Sequence, residues 1–309
     1  MNGTPKVSVC IPCYRQADLV DECLRSVLTQ VTTFPFEVIV RDDASPDDTA
    51  NVLRRWAEAY PDKLRVIINE TNLGAIGNYL ASHDLARGDY VAHMDGDDLA
   101  LPGKLQAQAD LLDRRPDVAI SAHAVEVIAH ARTMGTEAMY PELGGIEHLV
   151  RHGTYFVHSS VMYRRSARVG FDRIPLDEVI DFRSHIEMAA HGKVHLSRQI
   201  LGGYRWHAAG ISKNPVFRNF IENAYDKAFA RARALGVSDD VVKAGILRHR
   251  MNLAIARLTA GEYHEFKRLI VIPSGWFRIA RPKHVLLHVF RSLCALKFIQ
   301  RAIYRKVSA

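Results

Sequence analysis

Short apolar runs alternate with segments of helical spacing along the first 123 residues of the chain. Each run is rich in β-branched or aromatic side chains and has the length of a buried strand. The predicted strands cover residues 7–11, 36–40, 64–68, 90–94 and 118–123. Helices are predicted between them, over about 18–30, 45–60 and 102–115 and through Asn78, and Asp18 and Ser45 are placed to cap the first two. This alternation predicts an α/β fold with a mostly parallel central sheet flanked by helices.

The pattern changes after residue 123. A strand is predicted over 157–163, a helix over 177–191 and extended chain over 194–204. From Pro215 onward the spacing is helical, with helices expected over 217–235 and 239–260. We therefore expect one domain over residues 1–214, with halves of about 1–123 and 124–214, and a helical C-terminal region over 215–309.

Polar clusters follow the predicted strands. They are Pro12–Arg15, Asp42-Asp43, Asn72–Asn78 and Asp95–Asp98. Since ligands of parallel sheets bind outside the carboxyl ends of the strands, these clusters should converge on one crevice. Three neighbouring carboxylates repel one another unless a cation offsets their charge, and Mg²⁺ or Mn²⁺ prefers oxygen ligands together with substrate phosphates. The chain has no G-x-G-x-x-G after its first strand and no P-loop, so metal-bridged phosphate binding is the expected solution.

Composition narrows the class of protein. Hydrophobic residues make up 48% of the chain and charged residues 24%, which is typical of a soluble globular protein. We expect no membrane-spanning helix and no secretory signal, and four irregularly spaced cysteines indicate a reducing compartment. The net charge of +7 is unevenly distributed, because residues 266–309 hold ten of the 41 lysines and arginines and no acidic residue. Because the rest of the chain has a net charge of −3, we expect no general affinity for nucleic acid.

The basic tail has an amphipathic pattern. On a helix over Lys283–Lys306 the apolar side chains share one side, while Arg291, Arg301 and Arg305 share the other. The apolar side chains are Leu286, Val289, Phe290, Leu293, Leu296, Ile299 and Ile303. Such a helix suits an anionic lipid surface, with Trp276 and Phe277 at the interface. The alternative is that the stripe packs on the rest of the chain or on a second subunit.

Four segments carry a resemblance to a known family. They read VSVCIPCYRQADLVDECLRSVLTQ, EVIVRDDASPDDT, NLGAIGN and GDYVAHMDGDDLALPGKL. In these segments the chain resembles the family-2 glycosyltransferases of the GT-A fold, the bacterial group that builds surface polysaccharides. The likeness covers about Val7 to Ser212 and implies that residues 1–214 form a GT-A catalytic domain, with a nucleotide-binding half and then an acceptor half.

The resemblance also implies an activity. It implies an inverting, metal-dependent enzyme that moves a sugar from a nucleotide donor to a saccharide or lipid-linked acceptor in cell-surface polysaccharide synthesis. UDP is the default nucleotide, with dTDP and GDP left open, and the sugar, the linkage and the oligomeric state are not specified. We expect a cytoplasmic protein, with peripheral contact to the inner face of the plasma membrane through residues 276–306.

The resemblance assigns the first two clusters to the nucleotide. Pro12, Tyr14 and Arg15 would line the pocket of the base and ribose. Asp43 would bond the base, and Asp42 would form the pocket wall.

The remaining clusters would hold the rest of the donor. Asn72, Gly74 and Asn78 would help to hold the nucleotide. In the acidic segment Asp95 and Gly96 would lie near the ribose and sugar, Asp97 would bind Mn²⁺ or Mg²⁺, and Asp98 would contact the sugar or orient its neighbours. Two residues near the end of the likeness complete the set: His207 would join the metal or the pyrophosphate, and Arg205 would neutralise phosphate charge.

The resemblance also implies a catalytic base, which the family places in an acidic pair at the start of a helix, eleven residues before a Gly-Lys step. Asp181 keeps that spacing to Gly192-Lys193. The family usually has Glu before this Asp, and Ile180 stands there, so Glu178 and Glu187 stay as competitors for the base.

Three other functions stay open. Cys10 and Cys13 form a C-x-x-C pair between a strand and a helix, as in thioredoxin-type redox proteins. A nucleotidyltransferase of the same fold also uses a metal and carboxylates at a strand end, but it normally has a glycine-rich basic loop where this chain has Cys13-Tyr14-Arg15-Gln16. The third alternative is a catalytically inactive binding module.

Overall fold

Ten strands of the described residues form one mixed sheet. The computed structural model describes residues 4–130, 132–137, 139–206 and 217–276, with 278–280, 282, 285 and 288. The strands are β1 (Val7–Cys13), β2 (Phe36–Asp42), β3 (Leu64–Ile68), β4 (Tyr90–His93), β5 (Leu99–Ala100), β6 (Val118–Val127), β7 (Arg132–Met134), β8 (Leu143–Gly144), β9 (Met162–Arg164) and β10 (Lys193–Tyr204).

The sheet is mostly parallel. Its order is β3-β2-β1-β4-β9-β6-β10-β5, with β7 beside β6 and β8 beside β10. Strands β1 to β4 pair in parallel with their neighbours in this group, as β6 does with β10, whereas β9 runs antiparallel to both β4 and β6. The register sets Cys13 opposite Asp42 and Cys10 opposite His93. The carboxyl ends of β1, β2 and β4 therefore meet at one edge, as the sequence predicted.

Helices cover the sheet. They are α1 (Val20–Leu28), α2 (Thr49–Ala59), α3 (Gly74–His83), α4 (Lys104–Arg114), α5 (Ile146–His152), α6 (Asp181–Ala189), α7 (Arg218–Ala234), α8 (Asp239–Thr259) and α9 (Tyr263–Leu269). In α1 the buried side chains recur every three or four residues, so one face packs into the core formed with β1, β2 and β4. The core side chains of β1 and β2 are almost all inaccessible, as expected for strands covered on both faces.

Two predicted elements differ in the structure. The run over 157–163 contains a 3₁₀ turn at His158–Ser160 before β9, because the Ser160 hydroxyl donates to the Val157 carbonyl (2.6 Å) and turns the chain. The helix predicted over 177–191 is likewise divided. A 3₁₀ turn at Leu176–Glu178 is followed by extended backbone at Ile180, and α6 begins only at Asp181.

The two predicted caps are also wrong. Leu19 precedes α1 and no side chain bonds its first turn, so Asp18 is not a cap. Ser45 bonds Asp42 instead of α2, with 2.5 Å between its Oγ and Asp42 Oδ1. Asp48 precedes α2 and makes no side-chain cap bond, while Asp47 Oδ1 accepts from the Thr49 amide (3.2 Å) and hydroxyl (2.6 Å) at the start of the helix.

The described residues divide into two compact units. The first contains the residues up to Ile146 and those from Thr154 to Ala228, and it holds the whole sheet. The second contains Glu147–Gly153 and the residues from Phe229 onward, and its core includes Ala254 and Phe266. The boundary predicted between 214 and 215 stays a prediction.

Most of the basic C-terminal tail lies outside the residues that the structure describes. All seven apolar residues of the predicted stripe lie outside the described residues, and so do the three arginines opposite them. Phe277 also lies outside the described residues. No helix within the part of the chain that the structure describes has both the length and the apolar character needed to cross a bilayer.

Candidate active site

The Asp43 carboxylate organises the nucleotide-side loops. It is 2% exposed, and its Oδ1 accepts from the Asn69 side chain (2.8 Å) and the Leu73 amide (2.7 Å). Its backbone amide donates to the Cys13 carbonyl (2.9 Å), and its carbonyl accepts from the Asn72 side chain (2.9 Å). One residue thus joins the loop after β1, the end of β2 and the turn before α3.

Asn78 completes this network. Its side-chain amide donates to the Arg41 carbonyl (2.9 Å) and, more weakly, to the Cys13 carbonyl (3.4 Å), while its Oδ1 accepts from Asn69 (3.2 Å). Asn72 Oδ1 accepts from the Gly74 amide (3.0 Å), and Gly74 has a φ of +77°, which glycine tolerates without steric cost. The structure therefore brings three of the four predicted clusters together.

Asp42 is fully buried and fixes the loop after β2. Its carboxylate accepts from Ser45, whose hydroxyl in turn accepts from the Arg15 amide (2.8 Å). Arg15 and Ala44 both have a φ of 55°, a left-handed conformation that costs a residue with a β-carbon about 1 kcal/mol or more. Two such residues therefore stand in loops that bond each other. Tyr14 beside them is 46% exposed.

The acidic loop after β4 meets the same edge of the sheet. Asp95 is held on both sides: Ser159 Oγ donates to its Oδ2 (2.9 Å), and His93 Nε2 lies 3.2 Å from its Oδ1. Burial raises the pKa of the Asp95 carboxyl, but the charge and hydrogen bond of His93 outweigh it, so that the pKa is lowered overall. Asp95 is therefore kept ionised.

Asp98 has the opposite environment. Its carboxyl is 1% exposed, and burial together with the Asp95 charge raises its pKa to about 8. Oδ1 accepts from the Arg205 amide (2.8 Å), whereas Oδ2 is buried and has no hydrogen-bond donor among the described residues. A buried orphan oxygen in such a loop needs an explanation, and a bound cation or ligand is one.

Arg205 closes the acidic loop from β10. Its Nε donates to the Asp97 carbonyl (3.0 Å) and its Nη2 to the Glu22 carboxylate (2.7 Å). The pairing with Glu22 was not predicted, because an exposed glutamate on a helix carries no signal of its own. His207, which was predicted to join the metal or the pyrophosphate, lies outside the described residues.

The three carboxylates considered for the base differ in their partners. Arg183 binds both Glu178 and Glu187, each at 2.7 Å. Lys227 adds a second cation near Glu178, at 3.6 Å. The Asp181 side chain is 63% exposed, and its Oδ1 lies 3.7 Å from Nε2 of His158.

Several residues of this site had not been predicted. His93 and His158 lie with their ring centroids 4.0 Å apart, between Asp95 and Asp181. Tyr204 is close enough to the carboxylates of the acidic loop and of Asp181 for their charges, after burial, to raise the pKa of its hydroxyl. Single histidines in a strand or turn have no diagnostic spacing, so only the run His158-Ser159-Ser160 within an apolar segment hinted at a polar function.

Buried Lys104 supports the acidic loop from below. Its ammonium donates to the Ser159 carbonyl (2.6 Å) and pairs with His123 Nε2 (2.9 Å). Burial lowers the pKa of Lys104 to about 7, although the negative charge of Asp98 opposes this. The residue thus fixes Ser159, which in turn holds Asp95.

The described residues fit a divalent cation only in part. No group of three or more His, Cys, Asp or Glu side chains in the described ranges is arranged to hold an ion. The acidic loop offers the half-buried Asp97 and the orphan oxygen of Asp98. These hard oxygen donors fit a divalent cation that takes its other ligands from phosphates and water.

The cysteines do not form a redox pair. Cys10, Cys13 and Cys23 are buried and free. Cys10 and Cys13 stand three residues apart in β1, so their side chains point to opposite faces of the sheet. Burial raises the pKa of both thiols, whereas a redox thiolate needs a lowered one.

Solved structures of other proteins share this fold. The sheet with its flanking helices matches structures of GT-A glycosyltransferases, among them residues 1–349 of TarS from S. aureus in complex with UDP-GlcNAc, with a TM-score of 0.64 and 18% identity over 98% of this chain and 90% of that one. The mannosyltransferase PcManGT from Pyrobaculum calidifontis, in complex with GDP-Man and Mn²⁺, matches with a TM-score of 0.56 and 18% identity over 99% of this chain and 85% of that one. These likenesses show the fold.

The family follows from the sequence. The sequence profile described as glycosyl transferase family 2 matches residues 8–169, more than half of the chain, and the chain belongs to that family. The uncharacterized protein Rv1520 of Mycobacterium tuberculosis is 34% identical over 205 residues, which cover 64% of this chain and 58% of that protein. The chain thus spans about three fifths of the length of this relative.

Proposed function

We propose that this protein transfers a sugar from a nucleoside-diphosphate donor, UDP-linked by default, to a hydroxyl of a saccharide or lipid-linked acceptor, with inversion at the anomeric carbon. Membership of glycosyl transferase family 2 supports sugar transfer over nucleotidyl transfer or simple binding. TarS in complex with UDP-GlcNAc and PcManGT in complex with GDP-Man support a nucleotide-sugar donor.

The nucleotide would lie on the first three clusters. Pro12, Tyr14 and Arg15 form the exposed wall for the base and ribose. The Asp43 network supports this assignment, because its rigid, buried bonds hold the neighbouring loops in place for a ligand.

A divalent ion, Mn²⁺ or Mg²⁺, would be held by Asp97, with Asp98 beside it. When bound, it supplies positive charge that stabilises the departing diphosphate. PcManGT in complex with Mn²⁺ supports this assignment. Arg205 would add a cation at the same loop, fixed there by the Asp97 carbonyl and Glu22.

The observation that carries the choice of base is the difference between Asp181 and its competitors. Both glutamates are paired with Arg183, whereas Asp181 is exposed and lies beside His158, whose ring packs on His93 at the end of β4. A base must reach the proton it removes, and a carboxylate inside an ion pair is a poorer acceptor.

The reaction would be a single displacement. Asp181 takes the proton of the acceptor hydroxyl as that oxygen attacks the anomeric carbon. The bond between this carbon and the β-phosphate oxygen breaks, its electron pair stays on the phosphate oxygen, and the nucleoside diphosphate leaves. Attack from the face opposite the leaving group inverts the configuration.

Nucleotide release and nucleotide binding test this proposal together. A panel containing UDP-GlcNAc and GDP-mannose with Mn²⁺ should give release of the nucleoside diphosphate by the wild type. Asp181→Asn should lower this rate by about 10²- to 10⁴-fold and leave UDP affinity unchanged. Asp97→Ala should abolish both release and Mn²⁺-dependent binding.

Asp177→Asn is the matched control, because Asp177 is an exposed acid of the same segment. Wild-type turnover by Asp97→Ala and Asp181→Asn would refute the site. Loss of turnover in Glu187→Gln or Glu178→Gln, with Asp181→Asn active, would move the base to that glutamate.

The proposal has three further parts. The product is a cell-surface polysaccharide, the protein is cytoplasmic, and residues 276–306 make peripheral contact with the membrane. Truncation after Ser274 tests the contact: the truncated chain should leave the membrane fraction, and unchanged partitioning would end the idea.

A further inference from the structure

Four buried or nearly buried histidines lie between the two carboxylates of the proposed site, and the mechanism above uses none of them. They are His83, His93, His158 and His185. The rings of His83, His93 and His158 pack around Tyr79, and His185 packs against His158. The four histidines form two separate hydrogen-bonded chains.

The first chain ends at Asp95 in the acidic loop after β4. The Tyr163 hydroxyl lies 2.7 Å from His83 Nδ1, and His83 Nε2 lies 3.0 Å from His93 Nδ1. His93 Nε2 then faces Asp95 Oδ1 at 3.2 Å. All three side chains before Asp95 are buried.

The second chain ends at the proposed base. Thr154 Oγ1 lies 3.3 Å from His185 Nδ1, and His185 Nε2 lies 3.1 Å from His158 Nδ1. His158 Nε2 faces Asp181 Oδ1 at 3.7 Å, which is slightly longer than a hydrogen bond. The two chains have the same order of groups: a hydroxyl, two imidazoles and a carboxylate.

The carboxylate fixes the direction of the second chain. Ionised Asp181 can only accept, so Nε2 of His158 is the donor. In a neutral imidazole Nδ1 is then an acceptor, so His185 must donate from Nε2 and accept from the Thr154 hydroxyl at Nδ1. Burial lowers the pKa of His158 to about 4 against the charge of Asp181, and it lowers the pKa of His185 well below its usual value. Both rings are therefore neutral at pH 7.

We propose that His158 is a positioning residue for Asp181, held by His185 and Thr154 with its Nε2–H directed at Oδ1 of the base. This inference rests on the proposed function, because it assigns a task to His158 only if Asp181 removes the acceptor proton. Oδ1 is the oxygen turned towards His158, which leaves Oδ2 for the acceptor hydroxyl.

Because Asp181 is exposed, its side chain needs a neighbouring residue that restricts its rotamer. A carboxylate that is 63% exposed at the start of a helix samples several rotamers, and only some of them face the acceptor. A misplacement of about 1 Å can cost on the order of 10²-fold in rate. The loss should appear in kcat, because nucleotide binding does not involve Asp181.

The tautomers can be read directly in the unliganded wild type. Nitrogen-15 NMR of the histidine rings at pH 7.5, assigned with the His158→Gln and His185→Phe variants, should show both residues neutral with the proton on Nε2. A proton on Nδ1 of His158, or a charged ring, would overturn the proposal without any assay of activity.

Kinetics tests the task itself. With UDP-GlcNAc and GDP-mannose as donors, His158→Phe keeps the ring contacts but removes both nitrogens, and it should lower kcat by about 10- to 100-fold with the donor KM unchanged. His158→Gln, which restores a donor near the position of Nε2, should recover much of the loss. His195→Phe, at a half-buried histidine outside both chains, is the matched control.

The two proposals fail in different ways. If Asp181→Asn is inactive while His158→Phe turns over like the wild type, the positioning role is wrong and the proposed base stands. If Asp181→Asn is fully active, the proposed base fails, and the positioning role fails with it. If His158→Phe does not fold, two other measurements test the positioning role. The wild type should show the Nε2–H tautomer of His158, and His158→Gln should have a kcat near that of the wild type.

Discussion

Gly96 lies so close to Cys13 that a β-carbon on it would come within 2.7 Å of the cysteine Sγ. The same atom would lie 2.3 Å from Oε1 of Gln16. The acidic loop is thus packed directly on the loop after β1, and its glycine is required by space, since its φ is not positive. The two loops that would hold the phosphates and the base are coupled at this contact.

Gly96→Ala should therefore weaken nucleotide binding. The Gln16 side chain is flexible and can move, but Cys13 is buried in β1 and cannot, so the acidic loop must shift. We expect UDP affinity in the presence of Mn²⁺ to fall by about tenfold or more, which isothermal titration calorimetry would measure. Unchanged affinity would mean that the loops are not coupled.

Two further variants separate this clash from a general effect of alanine. Gly145 has open space around its β-carbon position and an ordinary φ, so Gly145→Ala should bind UDP like the wild type. Adding Cys13→Ala to Gly96→Ala removes the sulfur and should restore part of the affinity, which a double-mutant cycle would report as coupling.

Asp43→Ala should affect both stability and binding. The buried Asn69 side chain and the Leu73 amide would lose their acceptor, at a cost of about 1–3 kcal/mol in the free energy of unfolding. UDP affinity should fall with the loss of the ordered loops. Urea unfolding and calorimetry measure the two effects, and a stable variant with wild-type affinity would contradict the role of Asp43 in the nucleotide pocket.

Replacing Cys10 and Cys13 by serine should leave sugar transfer intact. The Cys10 thiol lies 3.6 Å from the Ser82 carbonyl, a contact that a hydroxyl can also make, and neither thiol is placed for disulfide exchange. Release of nucleoside diphosphate by the double variant measures this. Loss of activity in a folded double variant, together with thiol-dependent reduction by the wild type, would revive the redox interpretation.

The sequence predicts the parallel sheet edge well because two strong rules act there. Apolar runs mark β1, β2 and β4, and ligand groups follow their carboxyl ends, so Asp43 and Asp95 could be placed near each other without coordinates. Local preferences were less decisive. Ser45 stands at a sequence position typical of a helix cap. Its hydroxyl instead donates to the buried Asp42 carboxylate, which is a stronger hydrogen-bond partner than a backbone amide.

The histidine chains could not be predicted. His83 lies in a helix, His93 in a strand and His158 in a turn, and each could be an ordinary structural histidine when it is taken alone. Their contact depends on the antiparallel pairing of β9 with β4. This pairing brings Tyr163, and the turn before it, against His83 and the end of β4. Periodicity along the chain contains no information on that pairing.

The buried histidines also predict how stability depends on pH. Burial lowers the folded-state pKa of His83, His158 and His185, so the unfolded chain takes up protons below about pH 6.5 that the folded chain does not. The free energy of unfolding should therefore be highest above pH 6.5 and decrease towards pH 5, by up to about 1.4 kcal/mol per pH unit for each group. Urea unfolding at pH 7.5, 6.5 and 5.5 measures this slope. A carboxylate whose folded-state pKa is lowered, such as Asp95, changes stability in the same direction, and Asp98, whose pKa is raised, changes it in the opposite one. His185→Phe is therefore the comparison: it removes one buried imidazole, and its slope should be shallower than that of the wild type. Equal slopes would mean that His185 is not held neutral in the folded protein, and the direction assigned to the chain from Thr154 to Asp181 would be wrong.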